Sequence, residues 1–118
     1  MKAKLKYIHS PDILDLSEFI PEKQNNFSIL LQLIVAPLNG EGEESFDIVL
    51  CTPQWLIENH QISDIIIGRH YLIVFEYNYS RIYNKLKELI ENIDGENWDD
   101  IGMKVGRIGK WEFEDYQE

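Results

Sequence analysis

Residues 2 to 8 alternate lysine with apolar side chains, Lys2, Lys4 and Lys6 standing against Ala3, Leu5 and Tyr7. A period of two predicts a half-buried strand, with the lysines guarding its outer face. Pro11 and Pro21 bracket a segment without a regular period. It reads as a loop in which Ile13, Leu14, Leu16 and Phe19 fold back over the core. From Phe27 to Ala36 the chain is apolar on both faces and rich in branched residues, and Pro37 ends it. That pattern predicts a central strand covered on at least one side. Asn39-Gly40 and Gly42 then offer the positive-φ positions of a hairpin loop. On the returning strand Phe46, Ile48 and Leu50 alternate with Asp47, Val49 and Cys51, so a β-hairpin is expected here.

At Thr52-Pro53 the pattern changes, since threonine caps a helix N-terminus and proline at the first helical position gives up an N–H that had no partner. A short helix follows to about Asn59. Beyond Ile65-Ile66-Ile67 and the break at Gly68, the alternation of Tyr71, Ile73, Phe75 and Tyr77 with Leu72 and Val74 predicts a further strand. Ile82, Leu86, Leu89, Ile90 and Ile93 recur at helical spacing, with Lys85, Lys87, Glu88 and Glu91 opposite and Gly95 as the stop. Asn97 caps a weaker helix bearing Trp98, Ile101 and Val105 on one side, and Trp111 and Phe113 alternate with Glu112 and Glu114 as a short closing strand.

Strands lead and helices follow, which predicts an α+β fold: a mainly antiparallel sheet of about four to five strands with two to three helices packed on one face. A length of 118 residues fits one domain, 1–118, that buries roughly two-thirds of its extended surface. The single cysteine, Cys51, excludes an internal disulfide and fits a reducing compartment. The opening MKAKLKYIHS lacks an apolar signal region and no stretch reaches membrane-spanning length, so the cytoplasm is the expected location and no membrane partner is expected.

Charge narrows the function classes. Twenty-one acids against 11 bases give a net charge of -10, the wrong sign for nucleic acid and the right one for a basic protein partner. The acids cluster at Glu41, Glu43, Glu44 and Asp47, then from Glu88 to Asp100, then at Glu112, Glu114, Asp115 and Glu118. Chemistry is scarce. His9, His60 and His70 lack metal-site spacing, so no metal and no cofactor is expected. Cys51 in a strand reads as a small core residue, and Gly102, Gly106 and Gly109 do not follow a strand as a phosphate loop would. Arg69 and His70, after Gly68, form the one polar pair placed to line a pocket. The plainer reading is that Arg69 ties down a loop carbonyl or a carboxylate while His70 packs at the strand edge.

The strings CTPQWLIENH, IIIGRHYLIVFEYNYSRI and RIGKWEFEDY, in this order and spacing, resemble the bacterial immunity protein 8 family over nearly the whole chain. The resemblance implies a small acidic α+β protein, not an enzyme, that protects a cell from a cognate polymorphic toxin. On charge alone, the candidate contacts are Glu41, Glu43, Glu44, Asp99, Asp100, Trp111, Glu112 and Glu114. A small-molecule-binding domain using Arg69 and His70, and an acidic mimic of nucleic acid that blocks a DNA-binding protein, are the alternatives.

Overall fold

Ser28–Pro37, ten residues without a charge, form the longest strand, β2. In the computed structural model, which describes residues 1–112, it lies between β1 (Ala3–His9) and β3 (Glu44–Cys51), antiparallel to both. The chain then runs through α1 (Pro53–Glu58), β4 (Tyr71–Ile73), α2 (Tyr79–Glu91), α3 (Trp98–Val105) and β5 (Lys110–Trp111). The outer side of β3 is shared: β5 pairs antiparallel with Phe46 and Asp47, and β4 pairs parallel with Val49 to Cys51. Among the described residues the sheet is therefore mixed, five-stranded and mostly antiparallel, with order β1-β2-β3-β4 and β5 beside β3.

One face of the sheet makes the core. Leu5 and Ile8 of β1, Leu31, Leu33 and Val35 of β2, and Phe46, Ile48 and Leu50 of β3 are buried beneath Ile82, Leu86 and Ile90 of α2 and Ile101 and Val105 of α3. Each such side chain removed from water stabilises the fold by about 1.5–3 kcal/mol. The apolar stripe of α2 is the cause of its docking, because residues four apart share one face of a helix. Asn78 and Asn97 cap α2 and α3, each side chain accepting an N–H three residues on.

Local expectations are corrected at five places. The alternation of β1 breaks at a bulge between Leu5 and Tyr7, so Ile8 enters the core and Tyr7 faces out. Gly42 alone of the hairpin loop has positive φ, at 92°. Leu14 is fully exposed, while Leu16 is buried and Ile13 and Phe19 pack against the core partly buried, as expected. α2 ends at Glu91 with Asn92 as its C-cap, ahead of Gly95. The strand expected from Tyr71 to Tyr77 stops at Ile73, because Tyr77 is drawn off the sheet: its hydroxyl donates to the Leu16 carbonyl at 2.5 Å and its ring meets Phe19 and Phe27 edge-on. Phe113, expected in the closing strand, lies outside the described residues.

Candidate partner-binding surface

The N-terminus of β1 organises one end of the molecule. The Met1 ammonium donates to the Gly95 carbonyl at 2.9 Å, and the Gly95 N–H returns a bond to Met1 O at 3.1 Å. Lys2 holds the Asp94 carboxylate at 3.0 Å, and its own carbonyl accepts from the Leu38 N–H. These contacts draw the β2–β3 hairpin and the segment leading into α3 to the same end of the sheet. The start of β3 and all of β5 lie there too, since Phe46 is the partner of Trp111. Acids remote in sequence are thereby gathered: Glu41, Glu43 and Glu44 from the hairpin, Asp99 and Asp100 from α3, Glu112 after β5.

Their availability differs. Glu41 and Asp99 are exposed side chains, and Asp99 sits in the first turn of α3, where the N–H groups favour an acid. Glu43 is exposed but meets Lys6 at 2.6 Å, and the Lys6 ammonium is pushed up by that carboxylate. Glu44 is half-buried and accepts from the Trp111 indole N–H. Asp100 accepts from the Glu96 N–H at 3.0 Å and from Lys104 at 3.3 Å, which together hold its carboxyl below the ordinary range. Glu112 is exposed, with one oxygen 3.5 Å from the Ser45 N–H. Glu114 lies outside the described residues.

Trp111 is a packing residue of this end as well as a half-exposed one. Its ring stacks on Phe46 at a centroid distance of 6.0 Å, and its six-membered ring covers Gly102 so closely that a Cβ there would stand 2.7 Å from it. The glycine that weakens α3 in the sequence makes room for the indole. Trp98 is partly buried against the core, and Trp55 packs edge-on to His60.

Arg69 and His70 converge on one acceptor. The Arg69 guanidinium donates to the Gly106 carbonyl at 3.2 Å and the His70 Nε2 lies 2.7 Å from the same oxygen. His70 has φ 69°, a left-handed conformation that turns the chain into β4. The pair thus fastens the loop before β4 to the C-terminal end of α3, where orphan helix carbonyls need donors. The cavity of about 510 Å³ beside β4 is lined by neither of them. Cys51 is buried and burial pushes its thiol up, the opposite of what a nucleophile requires. Among the described residues no group of three or more His, Cys, Asp or Glu is placed to hold a metal ion, and no helix is long and apolar enough to cross a membrane.

A surface the sequence reading passed over is apolar. Residues 61–69 are all exposed, among them Ile62, Ile65, Ile66 and Ile67. Three successive isoleucines between Asp64 and Gly68, matching neither a strand nor a helix period, were the available signal.

A search of curated proteins and one of solved structures return no match. A family model described as Immunity protein 8 matches residues 3–116, nearly the whole chain. The chain belongs to the immunity protein 8 family, whose members act against the toxins of polymorphic toxin systems.

Proposed function

We propose that this immunity protein works in the cytoplasm by binding a basic cognate toxin, a nuclease by preference, and covering its cleft with the acidic end of the sheet. What supports the reading is that Met1 and Lys2 bond Gly95 and Leu38, which brings the hairpin with exposed Glu41 and Glu43 and the lead-in to α3 with exposed Asp99 to one end of the sheet. A nuclease cleft is basic because it holds phosphates, so an acidic face approaches it with a raised on-rate, and the complex buries what the toxin needs exposed. No catalytic step is required of the immunity protein. Inhibition is steric and stoichiometric.

The division of labour follows from the geometry. Glu41 and Asp99 face solvent and steer the encounter. Glu44, Asp100 and Glu112 also shape the end itself, through Trp111, the first turn of α3 and the Ser45 N–H. Trp111, part-buried beside these acids, is of a residue type that often dominates binding energy. Co-expression of the chain with its cognate toxin domain tests the reading. Growth is expected with the wild type, and reduced protection is expected when Glu41, Glu43 and Asp99 are together replaced by lysine. Full protection by that variant would remove the acidic end from the interface.

A further inference from the structure

The two outer edges of the sheet are treated in opposite ways. β1 carries Lys4 and Lys6, is broken by a bulge, and is closed by the end of α2 and the residues after it: the Leu5 N–H donates to Glu91 at 3.2 Å and Lys2 bridges to Asp94. Those are the devices that keep an edge from pairing with another chain. β4, on the other side, reads Tyr-Leu-Ile without a charge. The bonds from the Val49 N–H to His70 O and from the Val74 N–H to Cys51 O, both 2.9 Å, aim the peptide groups of even-numbered residues at β3. By alternation, those of Tyr71, Ile73 and Phe75 point away from β3, to a side on which no strand of the described residues pairs. Beyond β4 lies the 510 Å³ cavity, with Leu72, Val74 and Ile82 within it and exposed Phe75, Arg81 and Lys85 at its rim. Before β4 runs the exposed segment, with Ile62, Ile65 and Ile67 at 107%, 94% and 85% exposure.

We infer that this edge pairs with the same edge of a second copy of the chain, β4 against β4 about a two-fold axis. The edge is self-complementary. Antiparallel pairing centred on Leu72 sets Tyr71 opposite Ile73 of the second copy, and it brings residues 66–69 of each copy abreast of residues 75–78 of the other. The isoleucine ridge of one chain then meets the mouth of the other's cavity, twice over, as an isologous interface requires. Charge favours the same occupant. Glu76 is paired by Arg81 at 3.9 Å and Lys85 stands at the same rim, so two chains that each carry -10 meet here without massed acids. Contiguous apolar patches beyond roughly 300–600 Å² are uncommon on monomers. A stable contact takes about 800 Å² from each partner, and the centre offered here, Ile65, Ile67, Ile73 and Phe75, is exposed and apolar.

Sedimentation equilibrium of the full chain from about 1 to 100 µM, for the wild type and for Ile67→Glu and Ile73→Lys, decides the matter, with circular dichroism and melting temperature reporting that each variant folds. A wild-type dimer is expected, with a dissociation constant raised at least tenfold, by roughly 1.4 kcal/mol or more, in each folded variant. A chain that stays monomeric throughout, or a dimer that neither folded variant weakens, overturns the inference. Monomeric wild type whose toxin binding is lost in Ile67→Glu would assign the edge to the toxin and overturn it equally. Toxin binding retained by the variants leaves the function proposed above intact, whichever way the dimer result falls.

Discussion

Thr52 does two jobs with one oxygen. Its hydroxyl accepts the Trp55 N–H at 3.2 Å as the cap of α1 and the Phe27 N–H at 3.3 Å from the start of β2, and the residue is fully buried. Replacing it with valine keeps the volume and orphans both donors. A loss of about 1–3 kcal/mol is expected, read from the shift in a urea unfolding curve. Gly102 is constrained from the other direction. An alanine Cβ would press on the Trp111 ring, so Gly102→Ala is expected to cost about 1–3 kcal/mol through overpacking, in spite of alanine's better helix propensity. A more stable Gly102→Ala protein would show that Trp111 does not hold that place. Tyr77 is the third such residue. Burial, first, pushes its hydroxyl up to about 12. The native state thus favours the neutral phenol, and the stability this contributes is full below the ordinary tyrosine value near 10 and is lost as pH rises toward 12. Tyr77→Phe is expected to lose about 1 kcal/mol at neutral pH with the bond to Leu16, and to flatten the alkaline fall in melting temperature.

At the scale of elements, ion pairs tie the segment between α2 and α3 to the chain start. The Lys2 hydrogen bond lowers the Asp94 carboxyl, and the Glu96 N–H followed by Lys104 lowers that of Asp100. A carboxyl lowered in the native state stabilises above its unfolded value, near 3.9, and ceases to do so as pH falls through the native one. Melting temperature is therefore expected to drop below about pH 4, and less steeply in the Asp94→Asn, Asp100→Asn double variant. An unaltered acid slope would mean that these pairs are absent in solution. The hairpin, the Thr52-Pro53 helix start and the α2 stripe were legible in the sequence because each rests on local chemistry: period, cap and turn residue. The β1 bulge was not, because the alternation of Lys4, Leu5, Lys6 and Tyr7 continues through it in the sequence and only the register with Val35 and Ile34 breaks. The end of β4 was illegible for the same reason. Ile73 and Phe75 keep the strand period, and what stops the strand is Tyr77 meeting Leu16, a contact 61 residues away in the chain.

Over the whole molecule, the acids gather around the N-terminus of β1 and the β2–β3 hairpin, and the apolar edge runs along β4. The acids themselves were legible as charge clusters. Their meeting was not, since it depends on Met1 and Lys2 bonding Gly95, Asp94 and Leu38. Nor could the sequence separate Glu41 and Asp99, which face solvent, from Glu44 and Asp100, which are partly spent on Trp111 and on the first turn of α3. The account's central claim is that the acidic end recruits a basic toxin. Its most direct test is the association rate of the purified chain with its cognate toxin domain, measured at low and at high salt for the wild type and for Glu41→Lys, Asp99→Lys. The account predicts a rate that falls steeply with salt and a variant that associates at least several-fold more slowly at low salt, the two converging as screening rises. A rate indifferent to salt, or a variant as fast as the wild type at every salt concentration, would contradict it.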